Sequence, residues 1–343
     1  MIALDATYSI GRNLSGVAVY SREILYGMAE QHPEEILLFY YRPHRWARSW
    51  RERLPKNARR RILHGPLEAS LFHALNQRVD FRARRTVATF HDLFVMTGEY
   101  STPEFRARFT AQARDAAARS DLIIAVSEFT AGQVEQLLGV EKSRIRVIPH
   151  GVHKPEAQRD PKGRENLILT VGAVQKRKNI GRLVRAFESM PPGWRLAIAG
   201  SPDGYGAAAE LGAVEKSPRR ADIDVLGYVS LPALEKLYQR ARIFAFPSLD
   251  EGFGMPVLEA MAHGAAVVTS GRSGVAETAG DAALLVDPEN VEELAEALRR
   301  LAADVKLAQK LVQKGWERAL QFSWKNAVAR TWRVYQDLGL RPE

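Results

Sequence analysis

The sequence predicts an α/β protein built from two doubly wound parallel-sheet domains that face each other across a cleft. Three observations carry that expectation. Short β-branched and apolar runs alternate with helical patterns along the whole chain, and such alternation means crossover connections and parallel sheets with helices on both faces. The chain has 343 residues, and at roughly 100–200 residues per domain that is enough for two. A single open sheet of about eleven strands would be unusually wide, whereas residues 155–165 are polar, carry Pro and Gly and read as an interdomain linker.

In the first half, strands are expected at 2–5, 36–40, 87–90, 122–126 and 144–148. The gaps hold helical patterns, notably 15–30, 103–118 and 128–138. In the second half, strands are expected at 167–171, 195–199, 223–226, 243–246, 266–269 and 283–286, and helices at 180–188, 231–241, 256–262 and 291–303. Pro256 suits a first helical turn and Gly264 a helix stop. Residues 322–338 form another amphipathic helix, opened by Ser323 as its N-cap. The domains are therefore expected at 1–157 and 158–321, followed by the C-terminal helix at 322–343. In open α/β sheets ligands sit beyond the C-terminal strand ends. Two such edges leave room for a nucleotide on one side and a second substrate on the other.

Composition narrows the chemistry. A hydrophobic content of 46% with 26% charged residues is that of a folded protein. No run of about 18 apolar residues occurs, so no membrane-spanning helix is expected. The first five residues already read as a strand, so no cleavable signal peptide is expected either. The absence of cysteine excludes disulfides, thiolate chemistry and Cys-ligated metal, and suits the cytoplasm. His64, His73 and His150 have no metal-ligand spacing, and His150 reads as a structural loop residue. The net charge of +9 points to acidic partners: nucleotides, phosphates or an anionic membrane.

The most informative segment runs from Phe246 to Gly264, FPSLDEGFGMPVLEAMAHG. A strand runs into a loop containing Gly252, Phe253 and Gly254, and then into a helix. Small residues after a strand let backbone N–H groups approach a ligand, and the helix N-terminus that follows favours an anion such as a pyrophosphate. Glu251 lies in the loop and Glu259 about one turn into the helix, so both carboxylates can reach one ligand. A carboxylate accepting two vicinal hydroxyls is a usual way to hold a ribose or a sugar ring. Upstream, Gly172 follows a strand and precedes Lys176-Arg177-Lys178, a pattern that reads as a phosphate loop. His91 and Asp92 end another strand, where a His oriented by an Asp fits a cleft position. Gly16 lies in a glycine loop, Asn13-Leu14-Ser15-Gly16-Val17, after the first strand, with Arg12 just before it. Gly227-Tyr228 follows a third.

The spacing from Glu251 to Glu259 resembles the E-x7-E signature of the retaining glycosyltransferases of family 4, which have the GT-B fold of two Rossmann-like domains. The likeness extends over nearly the whole chain. Val171–Asn179 resembles that family's phosphate loop. The segments 126–130, 147–152, 274–277 and 281–288 resemble its landmarks, and Phe322-Ser323-Trp324 opens a helix that crosses back onto the N-terminal domain in this fold. The resemblance implies a glycosyltransferase taking a nucleotide-sugar donor, with no metal and no other cofactor. It assigns Glu259 to the ribose, and Glu251 with the backbone of Gly252, Phe253 and Gly254 to the donor sugar and its phosphate. It assigns Lys178, helped by Arg177, to the diphosphate, and His91 to a contact with the donor sugar. Front-face displacement, in which the leaving phosphate deprotonates the acceptor, is the mechanism it implies. The resemblance also implies that Gly172 approaches the donor phosphates, that the Gly16 loop approaches donor phosphate and acceptor, and that Gly227-Tyr228 lines the nucleobase pocket. Ala173 stands where many relatives carry Arg, which shifts the load onto Lys178 and Arg177. The loop at 172–179 looks most like that of mannosyltransferases, making GDP-mannose the first donor expected.

The expected acceptor is a glycan or a lipid-linked sugar bound by the N-terminal domain. Residues 1–150 hold 22 basic and 16 acidic side chains, so most of the positive excess lies there. Between Arg42 and Arg61 stand nine basic residues with Glu52 the only acid, and Trp46 and Trp50 are four apart as on one helical face. Two readings fit: a peripheral contact with anionic lipid at an inner membrane surface, or a solvated basic helix whose tryptophans pack on the core. Three alternatives to transfer fit the sequence less well. A nucleotide-sugar epimerase or a phosphorylase on the same fold needs acid/base clusters or a cofactor lysine that the sequence lacks. A nucleic-acid-binding protein has no supporting motif. A degenerate donor-binding subunit is at odds with intact Glu251, Glu259, Lys178 and His91.

Overall fold

The computed structural model describes residues 1–11, 15–153 and 163–339. Arg12, Asn13 and Leu14, and the linker positions 155–162, lie outside the described residues. The chain divides into two compact units. The first comprises Met1–Thr97, Thr102–Gly151 and Phe322–Glu343. The second comprises Val152–Gln321 together with Gly98–Ser101.

In the first unit the strands are β1 (Ile2–Asp5), β2 (Leu37–Tyr41), β3 (Ala58–Ile62), β4 (Leu71–Ala74), β5 (Arg85–Phe90), β6 (Leu122–Ala125) and β7 (Ile145–Val147). Its helices are α1 (Gly16–Gln31), α2 (Pro43–Ser49), α3 (Phe94–Thr97), α4 (Pro103–Arg119) and α5 (Glu128–Leu138). The sheet is parallel throughout, in the order β3-β2-β1-β4-β5-β6-β7. Its central strands are buried on both faces, which is why β1 and β6 read as largely apolar runs rather than alternating ones.

The second unit has β8 (Glu165–Val171), β9 (Arg195–Ala199), β10 (Ile223–Gly227), β11 (Ala241–Phe246), β12 (Ala266–Ser270) and β13 (Leu284–Val286). They form a parallel sheet in the order β10-β9-β8-β11-β12-β13. Its helices are α6 (Ile180–Phe187), α7 (Ala207–Lys216), α8 (Leu231–Arg240), α9 (Met255–Ala262), α10 (Ser273–Ala279), α11 (Val291–Ala303) and α12 (Val305–Leu320). One continuous core of Ile168, Leu183, Phe187, Ile198, Val268, Leu298 and their neighbours fills this unit. The final helix, α13 (Trp324–Asp337), groups with the first unit. Ser323 caps it by accepting from the Asn326 N–H, and Trp332 stacks at 3.6 Å on His32, just beyond α1.

Two strands and four helices were not expected, and each departure has a cause. In β3 the sequence Ala-Arg-Arg-Arg-Ile alternates in burial. It is an edge strand, where outward-facing charge blocks pairing with another chain, so its arginines read as a charged surface segment. The basic helix expected around Trp46 and Trp50 is therefore corrected. Only Pro43–Ser49 is helical, Trp50 follows the helix 65% exposed, and Arg59–Arg61 sit in a strand. The two tryptophans still meet edge to face at 5.8 Å, and Arg60 lies over Trp50 at 4.7 Å. In β4, four residues that include His73 are too few to register as a strand. Helices α7, α10 and α12 lie in stretches where Gly, Pro or charge weakened the helical pattern, and α3 is a single four-residue turn.

Arg42 leaves the basic surface altogether. Its side chain is 5% exposed and pairs with Asp5 at 3.0 Å and Asp80 at 2.7 Å. The Asp5 carboxylate also accepts from the Thr7 N–H. Asp80 is held in turn by Arg78 at 2.7 Å. Replacing Arg42 by Ala strands Asp5, which is 1% exposed. The variant is expected to lose about 3 kcal/mol or more of stability in urea denaturation. An unchanged midpoint and slope would refute this structural role.

Candidate active site

Both sheets reverse direction next to their first strand, between β1 and β4 in one unit and between β8 and β11 in the other. At such a switch point the two connections leave on opposite faces and open a crevice at the C-terminal strand ends. In the second unit, the loops leaving β8 and β11 carry Gly172, Arg177, Lys178, Glu251, Gly252, Phe253 and Gly254. The sequence motifs thus converge on one edge of one sheet.

The β8 loop is held by backbone geometry. Gly172 has φ +138°, a conformation that side-chain-bearing residues rarely adopt, and a Cβ there would stand 3.2 Å from Lys178 Cε. Residues Lys176–Lys178 make one 3-10 turn. Asn179 ends it at φ +60°. Its buried amide donates to the carbonyls of Pro247 and Pro288 at 2.9 and 2.6 Å, and its oxygen accepts from Arg182 at 2.9 Å. Asn tolerates the left-handed region because its side chain can hydrogen-bond locally, and here it ties the cationic turn to the β11 exit.

The two cations close on one carboxylate. Glu251 Oε1 lies 2.5 Å from both Lys178 Nζ and an Arg177 guanidinium nitrogen. Arg177 also donates to the Asp250 carbonyl, and Lys178 Nζ sits 4.4 Å above the Phe246 ring. Burial alone would raise the Glu251 pKa. The charges and hydrogen bonds of Arg177 and Lys178 overcome it and hold the carboxyl at about 2. The cluster keeps one net positive charge with little exposure to water.

The Glu251 loop is clamped from α10. Its N–H donates to the Ser273 hydroxyl at 3.2 Å, and its carbonyl accepts from the Gly274 N–H at 2.9 Å. A Cβ at Gly274 would fall 2.1 Å from the Gly252 carbonyl oxygen. Gly254 then caps α9, with Pro256 in its first turn. Glu259, midway along α9, accepts a hydrogen bond from the Tyr238 hydroxyl at 2.7 Å. Burial raises the Glu259 pKa, and the Tyr238 bond and the charges of His263 and His153 oppose that rise.

His91 and Gly16 belong to the first unit. His91 follows β5, is 6% exposed, and its Nε2 lies 3.0 Å from the Leu75 carbonyl, to which it donates. Burial lowers its pKa to about 4, against that bond, so the ring is neutral near pH 7 and Nδ1 is an acceptor. His150 stacks on it at 5.4 Å, and Tyr20 meets both rings. His150 is thus part of the His91 cluster, a placement its loop position did not reveal. Beneath lies a buried polar chain from Tyr20 through Thr89 and His73 to Tyr335 on α13, with successive contacts of 2.8, 2.8 and 2.6 Å. Gly16 is the exposed first residue of α1, capped by Ser15. Among the described residues no cluster of three or more His, Asp and Glu could hold a metal ion, and no helix is long and apolar enough to cross a membrane.

Comparison with known proteins decides the family. Residues 16–154 match the model of Glycosyltransferase Family 4, and residues 154–318 match that of Glycosyl transferases group 1. The chain is 30% identical, over 78% of its own length and 74% of the relative's, to O-antigen chain mannosyltransferase B of Escherichia coli. The chain belongs to glycosyltransferase family 4. This family 4 enzyme is also 26% identical to the serotype-specific mannosyltransferase WbdA of Escherichia coli, of which it spans about a third, 32%. Sucrose-phosphate synthase from Thermosynechococcus elongatus superposes with a TM-score of 0.78 at 21% identity, over 98% of each chain. WaaG, a glycosyltransferase involved in lipopolysaccharide biosynthesis, gives 0.75 at 16% identity over 96% of this chain and 98% of its own. The fold of this glycosyltransferase is that of the GT-B enzymes.

Sequence reading missed Tyr238, Ser273 and the tying role of Asn179. A motif names the residues at the loop, whereas these supports lie on elements that only the fold brings there. The Glu251 cluster makes an acid-stability prediction. Its carboxyl titrates lower in the folded protein than in the unfolded chain, so the stability it confers is complete above about pH 4.5 and disappears as pH falls toward about 2. In urea denaturation at several pH values, wild type should exceed Glu251→Gln at pH 7, with the gap narrowing below about pH 4.5. A gap independent of pH would contradict the ion cluster.

Proposed function

We propose that this glycosyltransferase is a retaining hexosyltransferase that moves a sugar, first of all mannose from GDP-mannose, from a nucleotide-sugar to a glycan or lipid-linked acceptor, without a metal ion. The observation that carries the proposal is the pair of cations around Glu251 at the β8–β11 switch point. A leaving nucleoside diphosphate gains negative charge as the glycosidic bond breaks, and fixed cations stabilise it where it forms. Lys178 and Arg177 supply that charge in place of a metal. Glu251 holds both cations in position before the donor arrives, and its carboxylate then accepts donor-sugar hydroxyls. The N–H groups of Gly252, Phe253 and Gly254 and the α9 N-terminus meet the phosphate, Gly172 lets the chain approach it, and Glu259 accepts the ribose hydroxyls. Gly16 stands at the first switch point, beside the phosphate and acceptor.

His91 contacts the donor sugar. Its Nε2–H is committed to Leu75, and its neutral Nδ1 accepts a hydroxyl. Retention follows a front-face displacement in which the leaving phosphate oxygen takes the acceptor proton as the new bond forms. The mannosyl reading is supported by the phosphate-loop sequence and by the likeness to the two Escherichia coli mannosyltransferases. A nucleotide-sugar donor is supported by a similar fold solved with UDP, HepE of Anabaena, at TM-score 0.75 and 16% identity.

The acceptor belongs to the first unit, whose excess of arginine fits a diphosphate lipid. A cavity of about 570 Å³ there, lined by Arg78, Asp80, Phe105, Arg108, Phe109 and Gln112, offers charge beside aromatic surface. Trp50 at 65% exposure, with Arg60 against its ring and Arg59 and Arg61 on the edge strand, supports a peripheral contact with anionic lipid.

Thermal-shift screening with GDP-, UDP- and dTDP-sugars tests the donor. A nucleotide-sugar at 100 times its dissociation constant stabilises by about 2.7 kcal/mol, and the absence of any shift would count against the reading. Lys178→Ala is expected to lower kcat by about 10²–10³ while leaving the fold intact. Proton NMR of the product checks retention: an anomeric configuration opposite to the donor's would sink it, as would activity abolished by EDTA for metal independence. Co-sedimentation should favour anionic over neutral vesicles at low salt, and equal binding to both would rule out the electrostatic contact.

A further inference from the structure

The carboxylate of Glu259 is held by a side chain that belongs to no motif. Tyr238, near the end of α8, is 2% exposed, and its hydroxyl donates to Glu259 Oε2 at 2.7 Å. The ring cannot swing away. It stacks on His263 with centroids 5.4 Å apart and an interplanar angle of 19°, and it packs against Phe244 at 5.7 Å. His263 is itself tied to the same helix turn, because its backbone N–H donates to the Glu259 carbonyl at 3.0 Å. Among the described residues, the Tyr238 hydroxyl is the one hydrogen-bond donor on the Glu259 carboxylate. One oxygen is therefore fixed and the other is left to a ligand.

We infer that Tyr238 is a specificity-determining residue: by fixing Glu259 it makes the enzyme prefer ribonucleotide donors to their 2′-deoxy counterparts. The inference rests on the reading of Glu259 as the ribose acceptor. A site built to accept a substrate hydroxyl rejects the analogue that lacks it, because a buried polar atom is then left unpaired. That penalty operates only while the carboxylate is unable to turn elsewhere. With Phe at 238, both oxygens are free to rotate toward water or toward whichever hydroxyl remains, so the missing hydroxyl costs less.

The same contact has an electrostatic side. Burial raises the Glu259 pKa, and the Tyr238 hydrogen bond acts against it, as do the charges of His263 and His153. Removing the phenol therefore raises the carboxyl further. The ionised form, which accepts both ribose hydroxyls, is then lost at a higher pH, and the acid limb of donor binding moves upward.

The experiment is calorimetric titration of the full chain with GDP and UDP, each beside its 2′-deoxy form, in wild type, Tyr238→Phe, Glu259→Asp and Glu259→Ala. Wild type should favour the ribonucleotide by about tenfold or more, as a hydroxyl-reading site does. Tyr238→Phe should bring that ratio to within about threefold of unity, raise donor KM more than it lowers kcat, and move the acid limb of binding to higher pH. Glu259→Asp, which withdraws the carboxylate from Tyr238, should collapse the ratio in the same way and serves if the Phe variant fails to fold. A wild-type ratio retained in Tyr238→Phe, or in Glu259→Asp where only that variant folds, overturns the role of Tyr238. If Glu259→Ala keeps both affinities, the ribose reading of Glu259 falls as well.

Discussion

Glu251 lies between Arg177 and Lys178 with little access to water, and that arrangement constrains each loop around it. Two adjacent cations facing one way repel each other. A buried carboxylate without partners would carry a desolvation penalty of several kcal/mol. Each problem is the remedy for the other, provided the geometry is held from outside. Asn179 and Gly172 hold the cations on the β8 side, and Ser273 and Gly274 hold the carboxylate on the β11 side. The cluster is therefore a property of four connections, which explains why its supporting residues are spread over more than 100 positions of sequence. The fixed charge is set by folding rather than by a ligand, so it is preorganised.

The fold was largely legible because parallel strands buried on both faces have an unmistakable signature. The runs at β1, β5, β8 and β11 are short and centred on buried apolar residues, and the alternation with helices follows directly. Strands failed to register where that signature is diluted. Edge strand β3 carries three arginines because one face meets solvent, and β4 places His73 among apolar neighbours where a hydrogen-bonded imidazole replaces a hydrocarbon. The charged stretch from Arg42 to Arg61 misled for a related reason. Composition reports charge but not its partner, and Arg42 spends its charge inside the protein on Asp5 and Asp80.

The candidate site residues that converge at the β8 and β11 exits were legible for a different reason. Gly172, Lys178, Glu251 and Glu259 act through main-chain conformation or fixed charge close to a strand end, so their spacing is constrained by local geometry and shows as a pattern. Tyr238 and Ser273 act on Glu259 and Glu251 from other elements, as His150 packs on His91 in the first unit. Nothing local restricts their distance along the chain, and only the topology brings them near. The supports of a site are for that reason harder to read from a sequence than the groups they support.

The two units use opposite electrostatic strategies. The second presents permanent charges, with Glu251 kept ionised far below neutral pH. The first buries three imidazoles, His73, His91 and His150, each with its pKa lowered by desolvation, to about 3 and about 4 for His73 and His91. Near pH 7 these rings carry no charge and act through hydrogen-bond direction: Leu75 fixes which nitrogen of His91 donates, and Tyr335 and Thr89 occupy both nitrogens of His73. A neutral imidazole with a pKa near 4 is a poor proton acceptor at neutral pH, so His91 is suited to orienting a hydroxyl rather than removing its proton. On the proposed reading, the acceptor proton passes instead to the leaving phosphate oxygen, beside cations that cannot themselves take it.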